Sequence, residues 1–575
     1  VPESWSPPHL HLDLTAPEQH LVRVSLRWQP RCATTLVRLP AWTPGSYLIR
    51  DYVRTLEGLS ARQGDRELAI ERLETSCWRL HSDGQGPVEL SWRILATDLS
   101  VRTCQLNGDH GFLCLAGVAM QLEGERWSPH RLTLTLPEGW EAFLSLPERE
   151  DGWLASDFDQ LIDNPIEAGP HPCHHFEVAG VPHRWVSWGD DLPSRDRAWL
   201  ADVERIALTC CRLMGVERPA SNAYLIVLHL LEKGFGGLEH DDGCVLQFSR
   251  TTLREAQGRR RLLQLVAHEY LHQWNVRRLR PAELTPIDYD RAVVVPTLWF
   301  AEGVTSYYDQ LIPVAAGLAC EADLLQDLGE ELSRYLLTPG RRVQSLRASA
   351  EEAWVKLYRP DPHNIDCQVS YYLKGAVIAL ALDLHLRRHG SCLAAVLQEL
   401  WLSHGRQGRG YREEDLLTVF GRHAADLSTL LPIWLNSRED LDLNSYLADV
   451  GLSLNAVASS HPQPGWQCGS SMTLERVSRG GAAEAAGLQV GDELLAVAGQ
   501  RLRAPEQLGP LLQSLIMKAE GPAVGLPLLF CRDGRIRETA LRPGPAQPER
   551  WTLELDPKAP PPAAERRRRW LELVP

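Results

Sequence analysis

His268 and His272 stand four residues apart with Glu269 beside the first of them, in the run Leu262-Leu263-Gln264-Leu265-Val266-Ala267-His268-Glu269-Tyr270-Leu271-His272. On an α-helix, positions four apart lie on one face, one turn above the other. Two imidazoles so placed can share one metal ion, and Glu269 leans toward the same face, where it can take a proton from metal-bound water. The competing reading is a core helix with two satisfied histidines. Leu262, Leu263, Leu265, Val266 and Leu271 predict that the helix is buried. Unpaired polar groups in such a place cost about 2–7 kcal/mol each, and a metal satisfies all three.

A catalytic zinc keeps three protein ligands and one open position. No third histidine follows His272 at a metal-ligand spacing, and the next candidate is Glu302 in Leu298-Trp299-Phe300-Ala301-Glu302-Gly303-Val304. A lone carboxylate at an apolar, aromatic helix start is either paired with an arginine or is a ligand delivered by a second helix. Pro281, Pro286 and Pro296 lie in the intervening segment, so the chain must leave the first helix and loop back.

The stretch from His268 to Pro281, followed by Trp299-Phe300-Ala301-Glu302-Gly303-Val304-Thr305-Ser306-Tyr307-Tyr308, resembles the bacterial glycyl aminopeptidases that carry a PDZ domain. These belong to the wider thermolysin-like, aminopeptidase-N-like zinc peptidases. The resemblance implies one zinc ion per chain on His268, His272 and Glu302, with Glu269 as general base. It also implies a substrate peptide with a free N-terminus and a preference for Gly or Ala there. Gly236-Gly237-Leu238-Glu239-His240 is similar to the segment whose glutamate binds the substrate α-amine in aminopeptidase N, which points to Glu239; His240 departs from that pattern. The plain alternative for Glu239 is a solvated loop carboxylate beside Asp241 and Asp242. Tyr371-Tyr372-Leu373-Lys374-Gly375 resembles the segment whose tyrosine faces the zinc, which maps to Tyr372, with Tyr371 second. A phenol there can hydrogen-bond the oxyanion as it forms.

These groups need elements to hold them, and the chain reads as multidomain. Residues 1–180 are expected to form an N-terminal β-sandwich, since His9–Thr15, Leu21–Trp28, Val88–Ile94, Gly111–Met120 and His130–Leu136 are β-like runs divided by turn residues. Leu39–Tyr52, rich in proline and aromatics, reads as a packed loop and not a site. Residues 181–455 are expected to be a thermolysin-like catalytic domain. In it Arg195–Met214 is helical, Tyr224–Leu230 is a buried strand, and Gly234–Phe248 gives the strand pair at the edge of the cleft. Such an edge can take an extended peptide by strand addition, and Gly236 and Gly237 would let the substrate backbone come close. After a Ser459–Gly465 linker, residues 456–548 resemble a PDZ domain through Gly487-Leu488-Gln489-Val490-Gly491-Asp492, which leaves two readings open: a peptide or protein ligand in its groove, or a purely structural PDZ domain. Residues 549–575 read as a tail, with Arg566–Arg569 as a solvated face and Trp551 and Trp570 docking it on the body.

The 575 residues suffice for several domains, and 44% hydrophobic content lets each bury a core. A net charge of −14 argues against a nucleic-acid protein. The longest apolar runs fall short of a membrane span. Thirteen cysteines without a Cys-x-x-Cys argue for reduced thiols rather than a disulfide scaffold, which favours the cytoplasm. Val1-Pro2-Glu3-Ser4-Trp5 does not read as a signal peptide, and a periplasmic location stays open if a leader was removed. Two other functions compete: a PDZ-guided zinc endopeptidase, and a non-catalytic peptide-binding protein with a relic metal site.

Overall fold

The computed structural model describes residues 6–459, 463–518, 525–542, 544 and 547–573. Residues 1–5, on which the reading of the N-terminus rests, and 460–462 of the expected linker lie outside the described residues. The chain forms two compact units: Val1–Val295 with Leu311–Ala319 and Ala394–Val419, and Pro296–Gln310 with Cys320–Leu393 and Phe420–Pro575.

The first unit begins β-rich. Leu21–Trp28 alternates buried and exposed residues along its length, the period of a strand with one face on a core. It pairs antiparallel with His9–Asp13 and with Val88–Leu95 at the centre of an eight-stranded sheet, and two four-stranded sheets accompany it. The expected run Gly111–Met120 breaks up. Only Gly111–Leu113 is a strand, because Leu115–Gly117 winds into a 3-10 turn and the ladder to Ile166–Gly169 ends there.

Next comes a five-stranded mixed sheet in the order Cys173–Val178, Val181–Trp188, Tyr224–Leu231, Gly243–Ser249, Phe235–His240. Its centre is parallel, and Tyr224–Leu231 is buried at seven successive residues, as a strand covered on both faces must be. Phe235–His240 is the outermost strand on its side, paired only with Gly243–Ser249. The helices Trp199–Leu213 and Gly258–Leu271 pack together beside this sheet. The former starts four residues later than the expected Arg195, because Leu192–Arg195 forms a separate turn of helix.

In the same unit the carboxylate of Glu167, wholly buried, meets three imidazoles. His110 Nδ1 lies 2.8 Å from it, His171 Nε2 2.9 Å and His229 Nε2 2.8 Å. These are hydrogen-bond lengths. Burial pushes the carboxyl up, but His229, His110 and His171 outweigh it and hold Glu167 well below the usual range. The group is a buried ionic knot between the β-rich region and the strand Tyr224–Leu231.

The second unit is mostly helical. The turn Trp299–Gly303 is a π-helix that leads into Val304–Ala315. It packs on the long helix Tyr371–Arg388, where Gly303 and Gly375 let the backbones touch: a Cβ on Gly303 would fall 2.5 Å from Gly375 Cα. A PDZ-like body follows, with the sheet Gln500–Arg501, Glu493–Val497, Leu526–Arg532, Arg535–Leu541 and a core that includes Leu474, Leu494, Val497, Leu528 and Phe530.

Residues read as a tail are structured. Pro548–Leu555 pairs antiparallel with Leu452–Ala458, and both Trp551 and Trp570 do anchor it: Trp551 N donates to Ser333 Oγ at 2.9 Å, and Trp570 Nε1 donates to the Tyr307 hydroxyl at 2.7 Å. The arginine run is not uniformly solvated. Arg567 reaches Glu321 at 2.9 Å and the Val450 carbonyl at 2.8 Å, because the helix Pro561–Leu571 turns that side chain inward. None of the thirteen cysteines is in a disulfide, and seven of them are buried. No helix among the described residues is long and apolar enough to cross a membrane.

Candidate active site

His268, Glu269 and His272 lie at the C-terminal end of the helix Gly258–Leu271. Apolar residues at Leu262, Leu263, Leu265 and Val266 bury the helix, as their spacing predicts. Tyr270, one position past Glu269, fixes its rotation: its hydroxyl donates to His183 Nε2 at 2.9 Å, while His183 Nδ1 donates to the Val181 carbonyl. Burial pulls His183 down to about 4, so it stays neutral and keeps that acceptor nitrogen.

The two imidazoles stand 4.7 Å apart between centroids, at 85°. His272 Nδ1 donates to the Asn275 carbonyl at 2.5 Å, which fixes the tautomer and leaves Nε2 with its lone pair. That is the protonation state a metal ligand requires, so the donors fit a divalent ion.

Glu269 is 4% exposed and lies directly beneath the outer strand Phe235–His240. A Cβ on Gly237 would run into its carboxylate. The glycine therefore makes room for Glu269, a role beyond the expected approach of substrate backbone. The Gly237 carbonyl accepts from Arg102 at 3.2 Å, tying the strand to the N-terminal region. Gly236, at φ +147°, has open space where a side chain would be.

Glu239 follows on the same strand. It is 4% exposed, not a solvated loop residue, and its Oε1 has no hydrogen-bond partner among the described residues. Glu239, Glu269 and His272 each offer an atom within 4.8 Å of the others. Their neighbour His240 turns away: Nδ1 lies 3.1 Å from Asp163. Asp163 also takes Arg277 at 2.8 Å, and Arg277 reaches Asp241 at 2.8 Å. Burial pushes Asp241 up, but Arg277, Arg280 and Arg278 outweigh it and hold it below the usual carboxylate range. This ion-paired frame lies behind Glu239 and fixes its strand end.

The loop Leu39–Tyr52 corrects the reading of it as packing alone. Trp42 and Tyr47 are buried, as expected of packing. Yet Gly45, at φ +80°, sits against Glu239: a Cβ there would lie 2.7 Å from both carboxylate oxygens. The N-terminal region thus forms one wall beside this carboxylate. Only the glycine itself signalled that in the sequence.

In the second unit, Glu302 is 1% exposed within the π-turn, and Tyr372 opens the helix Tyr371–Arg388 on which that turn packs. Ser370 caps this helix by accepting from Tyr372 N at 3.2 Å. Tyr371 is fully buried and Tyr372 half-buried, so of the two Tyr372 is the one with exposed surface. Sequence reasoning missed Tyr358, whose hydroxyl lies 3.1 Å from that of Tyr372 and 3.3 Å from that of Tyr371.

Residues 261–378 match the family model of the M61 glycyl aminopeptidases. Residues 9–170 match the M61 peptidase N-terminal domain, and 473–515 a PDZ domain. The chain belongs to the M61 glycyl aminopeptidase family. It is a metallo-aminopeptidase in a multidomain frame of β-rich N-terminal domain, helical M61 peptidase domain and PDZ domain. A crystal structure of an aminopeptidase N family protein from Idiomarina loihiensis is similar over 98% of this M61 chain and 100% of its own, with 27% identity and a TM-score of 0.90. An M1 zinc metallopeptidase variant from Deinococcus radiodurans gives 14% identity and a TM-score of 0.47, over 76% of this chain and 95% of its own. Yeast LTA4 hydrolase bound to bestatin gives 13% and 0.47, over 77% and 67%. No curated protein matches the sequence.

Proposed function

We propose that this M61 chain is a zinc aminopeptidase that removes small first residues, Gly or Ala, from peptides with a free N-terminus. The observation that carries this reading is Glu239: a buried carboxylate with an unpartnered oxygen, within 4.8 Å of both Glu269 and His272. A carboxylate so placed pairs with an ammonium one residue from the reacting carbonyl, and penalises substrates that lack one.

His268, His272 and Glu302 hold the ion, one per chain. When bound, zinc supplies a Lewis acid for the scissile carbonyl and lowers the pKa of its water to about 7. Glu269 takes the proton of the attacking water and hands it to the leaving amine. Gly237 leaves the carboxylate the space to do so. The Tyr372 hydroxyl donates to the developing oxyanion, steadied by Tyr358. The open edge of Phe235–His240, with Gly236 bare, supports backbone pairing with an extended peptide. Gly45 pressed on Glu239 supports a shallow first-residue pocket, which favours Gly and Ala. The PDZ domain takes an extended peptide or protein segment as ligand. Unpaired thiols support a cytoplasmic site of action.

The test is a panel of aminoacyl amides and matched N-acetylated peptides, with wild type and Glu239→Ala. Glycyl and alanyl amides should be cleaved fastest, a chelator should abolish turnover, and acetylated peptides should resist. Glu239→Ala should lose about 10²-fold or more in kcat/KM on free amines, the scale of leaving a buried charge unpaired. Equal cleavage of acetylated peptides by wild type would instead establish an endopeptidase.

A further inference from the structure

A second pair of histidines four residues apart lies at the C-terminal end of the helix Tyr371–Arg388: His385 and His389. Their rings stand 4.9 Å apart between centroids at 35°. Asp426, at the start of the helix Leu427–Asn436, faces both. His385 Nε2 lies 3.1 Å from each of its carboxylate oxygens, and His389 Nε2 lies 3.8 Å from Oδ1. The three residues each offer a ligand atom within 4.8 Å of the others.

Three features set this group apart from an ordinary surface cluster. The first is Asp426 itself. An aspartate at a helix start normally caps the N–H groups of the first turn, but this one makes no cap bond to the helix and is turned to the imidazoles. The second is the spacing. At 3.8 Å the His389 contact is too long for a hydrogen bond, yet two donors each about 2.1 Å from one tetrahedral ion stand about 3.4 Å apart. The Glu167 knot, with all its contacts at 2.8–2.9 Å, has the opposite signature. The third is preorganisation. His385 is 6% exposed, so its ring has little room to turn. The edges of Trp434 and the ring of Tyr446 confine it. The neighbouring cations are spent elsewhere, Arg387 on Asp383 and Arg388 on Asp449.

We propose that His385, His389 and Asp426 form a second metal site, for a late first-row divalent ion such as Zn²⁺, Ni²⁺ or Cu²⁺. Two imidazoles and a carboxylate suit these ions and not Ca²⁺ or Mg²⁺. His389 and Asp426 are exposed, so solvent completes the coordination and the ion exchanges freely. Residue 386 is a buried leucine, so no base stands where Glu269 stands in the peptidase site. The site binds and does not hydrolyse, and its ion clamps the end of the long helix to the start of Leu427–Asn436.

The experiment is equilibrium dialysis of the full-length protein against micromolar Zn²⁺ with metal analysis, for wild type, His389→Ala and Asp426→Asn. Wild type should hold one equivalent more than either variant, with aminoacyl-amide turnover unchanged between them. With Zn²⁺ already in the peptidase site, Cu²⁺ added to wild type should give an electron paramagnetic resonance spectrum with two imidazole nitrogens, reduced to one in His389→Ala. The variants sit at exposed positions, and unchanged turnover confirms their fold. Equal metal content in all three proteins, or a Cu²⁺ spectrum that His389→Ala leaves unaltered, would overturn the proposal. The difference in content is read independently of whatever ion the peptidase site holds.

Discussion

Two helices in this protein present imidazoles one turn apart, and they differ in everything around them. His268 and His272 end a buried helix; Glu269 follows the first, Gly237 stands over it, and Glu239 waits alongside. His385 and His389 end a helix, and of the two only His389 reaches the surface; Leu386 follows the first, and a single aspartate completes the group. Ligand spacing is thus common to both helices, and it does not by itself make a peptidase site. A peptidase site needs a carboxylate free to move a proton, a strand without a side chain above it, and an anchor for the substrate's charge. The contrast shows in exposure too: Glu269 and Glu239 are each 4% exposed, whereas His389 and Asp426 are open to solvent. Low dielectric strengthens the electrostatics that catalysis uses, whereas a binding site gains from solvent access.

Four substitutions sharpen that contrast. The largest effect belongs to Glu269→Gln, which removes the proposed proton carrier and should lower kcat by about 10³-fold. Metal content, measured on the same sample, should not change. Tyr372→Phe should lower kcat by about 10²-fold with KM nearly constant, since the proposed role of the hydroxyl is confined to the oxyanion; Tyr358→Phe, one hydrogen bond further out, should cost only a few-fold. Gly237→Ala should fall between these two, at about 10-fold to 10²-fold in kcat, because the methyl group displaces Glu269 without removing it. A Gly237→Ala enzyme at full rate would show that the strand is not what sets the base in place.

Much of this was legible in the residues. His268, Glu269 and His272 fall on one helix end because the apolar spacing around them dictates it, and the strand Tyr224–Leu231 follows from an unbroken apolar run. What the sequence hid were partners distant in the chain. Gly45 meets Glu239, Tyr358 meets Tyr372, and Glu167 gathers His110 and His229 beside its near neighbour His171. Periodicity reports which face of an element is buried, but not what is buried against it. The run Gly111–Met120 failed for the related reason that a strand ends where its neighbour stops, and no residue in it announces that end.

The ladder between Leu452–Ala458 and Pro548–Leu555 bears on how the PDZ body is joined to the rest of the molecule. The polypeptide departs and comes home at adjoining rungs, Ala458 opposite Pro548, so that body hangs as a pendant from a closed ring and not as a bead at a free end. Exchanging it for another module would leave Trp551 and Trp570 at their moorings.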